Sequence, residues 1–328
     1  MKIISPRAEI ISSREKPDII NHIERCARTC YKSEDKIKEG SAEKMVLNLI
    51  KNGHEAMLEH SALCFKVDSH IWDDLRKYQN GLELFSDYRS FLRFTHNNAD
   101  RFIVSGNIRA WRDFIKSCKC HYGYILNCTE KIVHENPTLF PEYEVSYNGY
   151  SDEYMTSIDY ADLRTVNEMM THIDITVRFV VDRGVSHEIV RHRLASFAQE
   201  STRYCNYSRE GFGGEITVIK PMFLQEGTEG YEIWRRSCEC AESAYFNLLN
   251  WGCIPEECRA VLPTSLKTEI IVTMNLRGWR HFFQLRALGI TGKPHPQMRQ
   301  VALPLLEEFK GIFPEIFGDL EVQNNVRG

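Results

Sequence analysis

The stretch that most limits the possible folds is HIDITVRFVVD, residues 172–182. Ile173, Ile175, Val177, Phe179 and Val181 alternate with mainly polar neighbours, the period of a strand whose apolar face is buried. A second β-rich segment, TEIIVTMN at 268–275, supplies a natural partner. Both are followed by helix-forming sequence. After the first, Asp182-Arg183-Gly184 reads as a turn and Ser186 as the cap of a short helix. After the second, Asn275 reads as the cap of a helix LRGWRHFFQLR.

Other helices are expected at about 17–30, with Ile20, Ile23 and Ala27 on one face, and at Ser41–Asn52. In the latter, Ser41 is the expected cap, Met45, Val46, Leu49 and Ile50 the stripe, and Gly53 the exit. SALCFKV should be a strand, with Leu63, Phe65 and Val67 alternating. Tyr231, Trp234, Cys238, Ala241, Tyr245 and Leu248 recur at helical spacing. Pro255 opens a short helix leading to Arg259. A last helix starts near Pro296, with Met298, Val301, Leu305 and Phe309 inward and a kink expected at Pro304. Residues 70–168 read as a mostly helical elaboration with a loop-like centre at 136–159.

With 43% hydrophobic and 26% charged residues, the 328-residue chain is expected to be globular. Its 41 basic and 45 acidic residues leave a net charge of -4, so an anion site must be local and a nucleic-acid coat is not expected. The N-terminal MKIISPRAEIISS has no signal-peptide core, and no apolar run reaches the roughly 20 residues that span a bilayer. The expected location is cytoplasmic, without membrane or nucleic-acid partners. Eleven cysteines include the C-x-C pairs Cys118/Cys120 and Cys238/Cys240 but no C-x-x-C, a pattern of reduced thiols and not of a zinc ribbon.

Against that acidic background, EIVRHRLASFAQESTRY at 188–204 gathers Arg191, His192, Arg193, Ser201 and Arg203. Guanidinium forks suit phosphate, and LASFAQES could expose backbone N–H groups to it. The plainer alternative is a solvated basic patch. Arg277, Arg280, His281 and Arg286 lie on a helix otherwise built from Trp279, Phe282, Phe283 and Leu285. This is either a site for a planar anion or an amphipathic helix with a basic outer face. HEAMLEH is no zincin motif, because His54 and His60 are six apart. Ser201 has no local histidine to activate it and reads as a hydrogen-bonding hydroxyl. A nucleic-acid-binding protein remains a rival, weighed against by the acidic balance and by Glu200 and Glu210 among the arginines. A flavoprotein of another reaction class is a second rival.

Arg191-His192-Arg193, seven residues and Ser201 form an R-H-R-x7-S pattern. Together with GHEAMLEH upstream and ECRAVLPTSLKTEIIVTMN and NLRGWRHFFQLR downstream, it resembles the flavin-dependent thymidylate synthases over roughly 1–68 and 168–310. The resemblance implies methylation of dUMP to dTMP, with methylenetetrahydrofolate giving the carbon and FAD, reduced by NADPH, carrying hydride. It also implies a homotetramer with shared active sites. The expected fold is a single α+β domain over 1–328, a mixed or antiparallel sheet flanked by helices.

By position, the resemblance assigns FAD to Ala56, Arg191, His192, Arg193, Gln199, Asn275, Leu276, Arg277 and His281. It assigns dUMP to Glu188, Arg191, Gln199, Glu200, Ser201, Thr202, Arg203, Arg259 and Arg286. Arg286 is the expected catalytic group, placed against the uracil to favour its N3-deprotonated form. Ala56, Gln199, Glu188 and His281 stand where many members carry a hydroxyl, Glu, Gln and Asn.

Overall fold

The computed structural model describes residues 1–12, 15–69, 92–96, 102–118, 124–145, 147, 149–208 and 213–321. Its strands are β1 (Lys2–Ile4), β2 (Arg7–Ile10), β3 (Ala62–Val67), β4 (Arg93–His96), β5 (Phe102–Asn107), β6 (Met155–Ser157), β7 (Asp174–Asp182), β8 (Ser196–Gln199), β9 (Thr217–Ile219) and β10 (Lys267–Asn275). The longer helices are α1 (Ile19–Tyr31), α2 (Ser41–Lys51), α3 (Ile108–Cys118), α4 (Tyr124–Glu135), α5 (Val166–His172), α6 (Arg183–Ile189), α7 (Glu229–Asn250), α8 (Leu276–Phe283) and α9 (Pro296–Ile312).

The two alternating segments pair as read. β7 and β10 run antiparallel from Asp174 opposite Asn275 to Asp182 opposite Lys267, at the centre of a sheet ordered β2-β7-β10-β8. One face carries Ile175, Val177, Phe179 and Val181 with Ile270, Val272 and Met274, and packs on Val185 and Ile189 of α6, the α8 aromatics and the apolar stripe of α9. The other face takes α1, where Cys26 meets Ala198 and Ile271. At that face the His22 Nε2 lies 2.9 Å from the Thr176 hydroxyl, Thr176 lies 2.8 Å from Thr273, and Thr273 lies 2.8 Å from His60 Nδ1. Buried polar groups are thus joined in a row across the sheet, as burial requires.

A second antiparallel sheet, β4-β5-β3-β6, packs Leu63, Phe65, Val67, Phe102 and Val104 against α1, α2, α3 and α4. The elaboration at 70–168 is therefore not only helical: its described part holds α3 and α4 and also donates β4, β5 and β6. β1 and β9 form a short parallel pair beside α7, whose Cys238 and Tyr245 share a small core with Tyr207, Val218 and Leu266.

Several local expectations change. Ser41 is the first residue of α2; Gly40, at φ 70°, holds the cap position. The Ser41 hydroxyl instead accepts from Lys38 N–H at 2.9 Å and lies 2.9 Å from Glu24 Oε2. No separate turn follows β7. Asp182 itself caps α6, accepting from Val185 N–H at 2.8 Å, and Ser186 is buried one turn inside. Asp is as good a cap as Ser, so the helix starts where the first side-chain acceptor appears. Pro304 sits on the exposed side of α9, and the helix continues through it to Ile312. Cys26, Cys30, Cys64, Cys128, Cys205, Cys238, Cys240, Cys253 and Cys258 are free; Cys120 and Glu210 lie outside the described residues. Among those residues, no helix is long and apolar enough to cross a membrane.

Burial holds His22 near pKa 4 and His60 and His172 near 3, below the ordinary 6.5, with Arg25, His22 and Arg93 as the respective charged neighbours adding to the depression. A depressed folded pKa means that the unfolded chain binds protons first. The stabilisation from neutral burial is complete above pH 6.5 and is lost as the pH falls toward 3–4. Going from pH 7 to 5 should cost up to about 2 kcal/mol per histidine. Urea unfolding at the two pH values, with constant m, measures this; an unmoved midpoint would contradict it.

Candidate active site

The turn that carries Arg191, His192 and Arg193 is aimed by the start of α6. Asp182 Oδ1 caps the helix while Oδ2 accepts from Gln297 Nε2 of α9 at 2.6 Å, clamping the helix start from two sides. Gly184 fits there because a Cβ would come 3.1 Å from Asp182 Oδ1 and 3.3 Å from Thr264 Cγ2. Just past the triplet, Leu194 adopts φ 60°, a left-handed conformation costly for a branched side chain. This reversal sends the chain into β8. His192 is left buried, while Arg191, Arg193 and Leu194 are exposed. Neither arginine side chain has a partner among the described residues, so both are free to meet an anion.

Arg286 approaches the same turn from the other strand. α8 passes into a π-turn at Gln284–Leu288, a geometry common at functional sites, and Arg286 projects from it. Its Nε donates to His192 Nε2 at 3.0 Å, its Nη1 to Glu188 Oε2 at 2.8 Å, and its Nη2 to the Glu188 carbonyl at 3.2 Å. Five N–H groups are available to a guanidinium. Three are committed, so one remains on each terminal nitrogen. The accepting Nε2 assigns the His192 proton to Nδ1. Burial, with the charges of Arg286 and His281 acting in the same sense, lowers the His192 pKa to about 4. The His281 ring is exposed, 6.1 Å from that of His192.

Around this group the expected site residues fall into two further clusters. β8 pairs with β10, so the middle half of LASFAQES, Ser196–Gln199, is strand and not an open nest of amides. The Gln199 amide faces inward, donating to Ser186 Oγ at 3.0 Å and Thr268 Oγ1 at 3.2 Å. Glu200 is buried and ion-paired to Lys267 at 2.8 Å. These two side chains are structural here, and the turn after them is the accessible part. The Ser201 carbonyl accepts from Tyr204 and Cys205, and its hydroxyl accepts from Arg203 N–H at 3.3 Å. No hydrogen bond among the described residues links that hydroxyl to a base. Thr202 is half-buried and Arg203 exposed, its Nε 3.2 Å from Glu256. Glu256 belongs to the helical turn Pro255–Cys258, which Arg259, exposed and unpaired among the described residues, follows directly.

The third cluster is the start of α8. Asn275 caps it as expected, accepting from Gly278 N–H at 2.9 Å, and donates to the Thr171 carbonyl at 3.2 Å. Leu276 is buried in the core. Arg277 reaches α5, donating to Asn167 Oδ1 at 3.0 Å, and makes no bond to the Arg286 group. Ala56 is exposed in the short 3-10 helix Glu55–His60. Trp279, Phe282 and Phe283 are fully buried and form no ligand platform: their spacing matches the core face of an amphipathic helix. Residues that the sequence left unnoticed are Leu194, whose backbone only coordinates reveal, and Tyr31. The Tyr31 hydroxyl lies 3.2 Å from His54 Nδ1 and its ring 6.2 Å from that of Tyr204.

Replacing Arg286 by Met should raise the His192 pKa from about 4 while leaving it below the ordinary histidine value, because burial against Phe282 persists. Titration of the imidazole C–H resonances by NMR reads this out. An unmoved His192 would mean that Arg286 does not act on it.

A family model described as thymidylate synthase complementing protein matches residues 10–72 and 146–315. A flavin-dependent thymidylate synthase of Pyrococcus furiosus is 39% identical over 126 residues, 38% of this chain and 50% of the relative. Another, of Geobacter sulfurreducens, is 34% identical over 139 residues, covering 42% and 57%. The chain thus spans about half the length of these relatives. The crystal structure of a UMP/dUMP methylase PolB from Streptomyces cacaoi, bound with 5-Br UMP, aligns over 97% of each chain with TM-score 0.41 and 14% identity. The two blocks of the family model take in well over half of the residues and every segment of the site, and the chain belongs to the thymidylate synthase complementing protein family.

Proposed function

We propose that this chain is a flavin-dependent thymidylate synthase, converting dUMP to dTMP with methylenetetrahydrofolate as carbon donor and NADPH as reductant. The observation that carries the reading is the Arg286–His192–Glu188 group, set beside two unpartnered arginines in a chain of net charge -4. Such a group is expected where a nucleotide monophosphate and a dinucleotide cofactor meet.

The exposed Arg191 and Arg193 fit a pyrophosphate, with His192, His281, Asn275, Leu276, Arg277 and the backbone of Ala56 and Gln199 completing an FAD site. Bound flavin would supply the hydride. Ser201, Thr202, Arg203 and Arg259 would hold the dUMP phosphate, with Glu188 and Arg191 at its base. Arg277 is bonded to α5 and not to the Arg286 group. In the homotetramer we propose, it serves the site of another subunit.

Arg286 is the proposed catalytic residue. Glu188 and His192 hold the guanidinium still, so its two remaining N–H donors need no reorganisation to meet a developing anion. Beside the uracil it would lower the N3 proton's pKa and enrich the anionic ring, whose C5 is the more nucleophilic. Neutral His192 adds no competing charge. Glu188 would compensate the guanidinium charge while no nucleotide is present.

Product analysis with dUMP, methylenetetrahydrofolate, FAD and NADPH together tests the reading. The expected result is dTMP, with NADPH oxidation that responds to dUMP. Absence of both rejects it. Arg286→Ala should abolish dTMP formation with flavin still bound; flavin loss as the primary defect would move Arg286 to the cofactor. Ser201→Ala should weaken dUMP binding by roughly tenfold, the worth of one hydrogen bond to a charged group, and leave measurable turnover.

A further inference from the structure

Directly behind the Ser201–Arg203 turn lies a row of four charges that no part of the proposed chemistry uses. Lys32 Nζ is 2.6 Å from Glu269 Oε1, Lys267 Nζ is 2.9 Å from the same oxygen, and Lys267 Nζ is 2.8 Å from Glu200 Oε2. The Glu200 side chain is fully buried, and those of Lys32, Lys267 and Glu269 are mostly so. Lys32 is itself the left-handed cap residue at the end of α1, at φ 49°. The row itself holds two cations and two carboxylates, and at its outer end Glu34, more exposed, lies 3.6 Å from Lys32 Nζ. It joins the end of α1 and the first residues of β10 to the residue preceding Ser201.

The backbone closes on the same point. Glu200 N–H donates to the Glu269 carbonyl at 2.8 Å, and Glu269 N–H to Glu200 Oε2 at 3.2 Å. Arg183 donates to the Glu200 carbonyl at 3.2 Å, and the Cys30 thiol to that of Gln199 at 3.1 Å. The second carboxylate oxygen, Oε1, is buried with no hydrogen-bond partner among the described residues. A carboxylate in such a place opposes any anion bound to the adjacent turn unless a cation beside it cancels its field. Lys267 is the cation in direct contact with it.

We infer that Lys267 is a positioning residue for the nucleotide: paired with Glu200, it pins the Ser201–Arg203 turn and cancels the Glu200 charge behind the phosphate. This rests on the assignment of that turn to dUMP. Glu200 therefore serves the ligand from behind the turn, through charge and backbone, and does not touch it. Two effects of removing Lys267 follow, and they separate. Loss of pinning exposes the turn, whereas loss of charge compensation penalises a phosphorylated ligand and spares its nucleoside.

The test compares wild type with Lys267→Met, Lys267→Arg and the double variant Glu200→Gln/Lys267→Met. Calorimetry gives binding of dUMP and deoxyuridine, and trypsin gives cleavage after Arg203 without ligand. Lys267→Met should weaken dUMP roughly tenfold, as expected for one uncompensated charge near the site, and deoxyuridine by less than about twofold. Cleavage after Arg203 should accelerate. Lys267→Arg should restore both properties. The double variant, which buries no unpaired charge and so keeps the fold where the single one does not, should recover most of the dUMP affinity while its turn stays cleavable. Equal weakening of both ligands, unchanged dUMP affinity, or no recovery in the double variant would overturn the compensation role. Unchanged cleavage would overturn the pinning role. If wild type binds no dUMP yet Lys267→Met is cleaved faster, the nucleotide assignment falls and the pinning stands.

Discussion

The β7–β10 ladder is the constraint on which the site depends. Because the strands are antiparallel, α6 leaves one end at Asp182 and α8 leaves the other at Asn275. Both helices fold back over the same apolar face and run toward each other. The nine-residue ladder is about 30 Å long at 3.4 Å per residue. The helical residues of α6, α8 and the π-turn together span about the same distance at 1.5 Å each. Their C-terminal ends must therefore meet part-way along the sheet, and there Arg286 bonds Glu188. Helix C-termini carry partial negative charge and unpaired carbonyls. Arg286 caps the carbonyl of Glu188, and Arg191 and Arg193 lie just beyond the same helix end. An acidic chain can hold this many guanidinium groups together because two helix ends offset their mutual repulsion.

This geometry explains which parts of the fold were legible. Period-two alternation at 173–181 and the cap Asn275 depend on nearest neighbours, and both appear as read. The site residues Arg286, Glu188, His192 and His281 were picked out by motif, and they converge because the ladder brings their helices end to end. Ser41 and Ser186 were misjudged as caps because several adjacent residues could serve. In α2 a glycine able to adopt φ 70° holds the position, and in α6 Asp182 comes first. The aromatics of α8 illustrate a deeper ambiguity. Arginine beside tryptophan has the same spacing whether the ring meets a ligand or the core, and only the burial of Trp279, with its Nε1 on the Ile175 carbonyl at 2.9 Å, decides for the core.

Gln199 and Glu200 were legible as neighbours of the site but not in their orientation. On a strand, successive side chains point to opposite faces, so a motif read as a string mixes groups that face a ligand with groups that face the interior. Gln199 is held by Ser186 and Thr268, and Glu200 by Lys267. Thr268 and Lys267 lie 69 and 67 residues downstream, beyond the reach of any local pattern.

The elaboration at 70–168 shows how far a locally unreadable segment can be built into the core. Arg93 of β4 makes a two-pronged bond to Asp174, the first residue of β7, at 2.7 and 2.6 Å. His172, immediately before that strand, lies 2.8 Å from Thr95 and 2.7 Å from Ser105, with both ring nitrogens used. Asp174 also stands opposite Asn275, the cap of α8. The second sheet thus holds the end of the ladder from which Arg286 is launched. Taking one partner from an ion pair as largely shielded as this one leaves the other charge poorly solvated, and costs more than breaking a surface pair. Deleting the segment would strand Asp174 and His172 together, next to the residue that starts α8. The second sheet thus braces the end of the ladder where α8 starts, and is not an appendage to it.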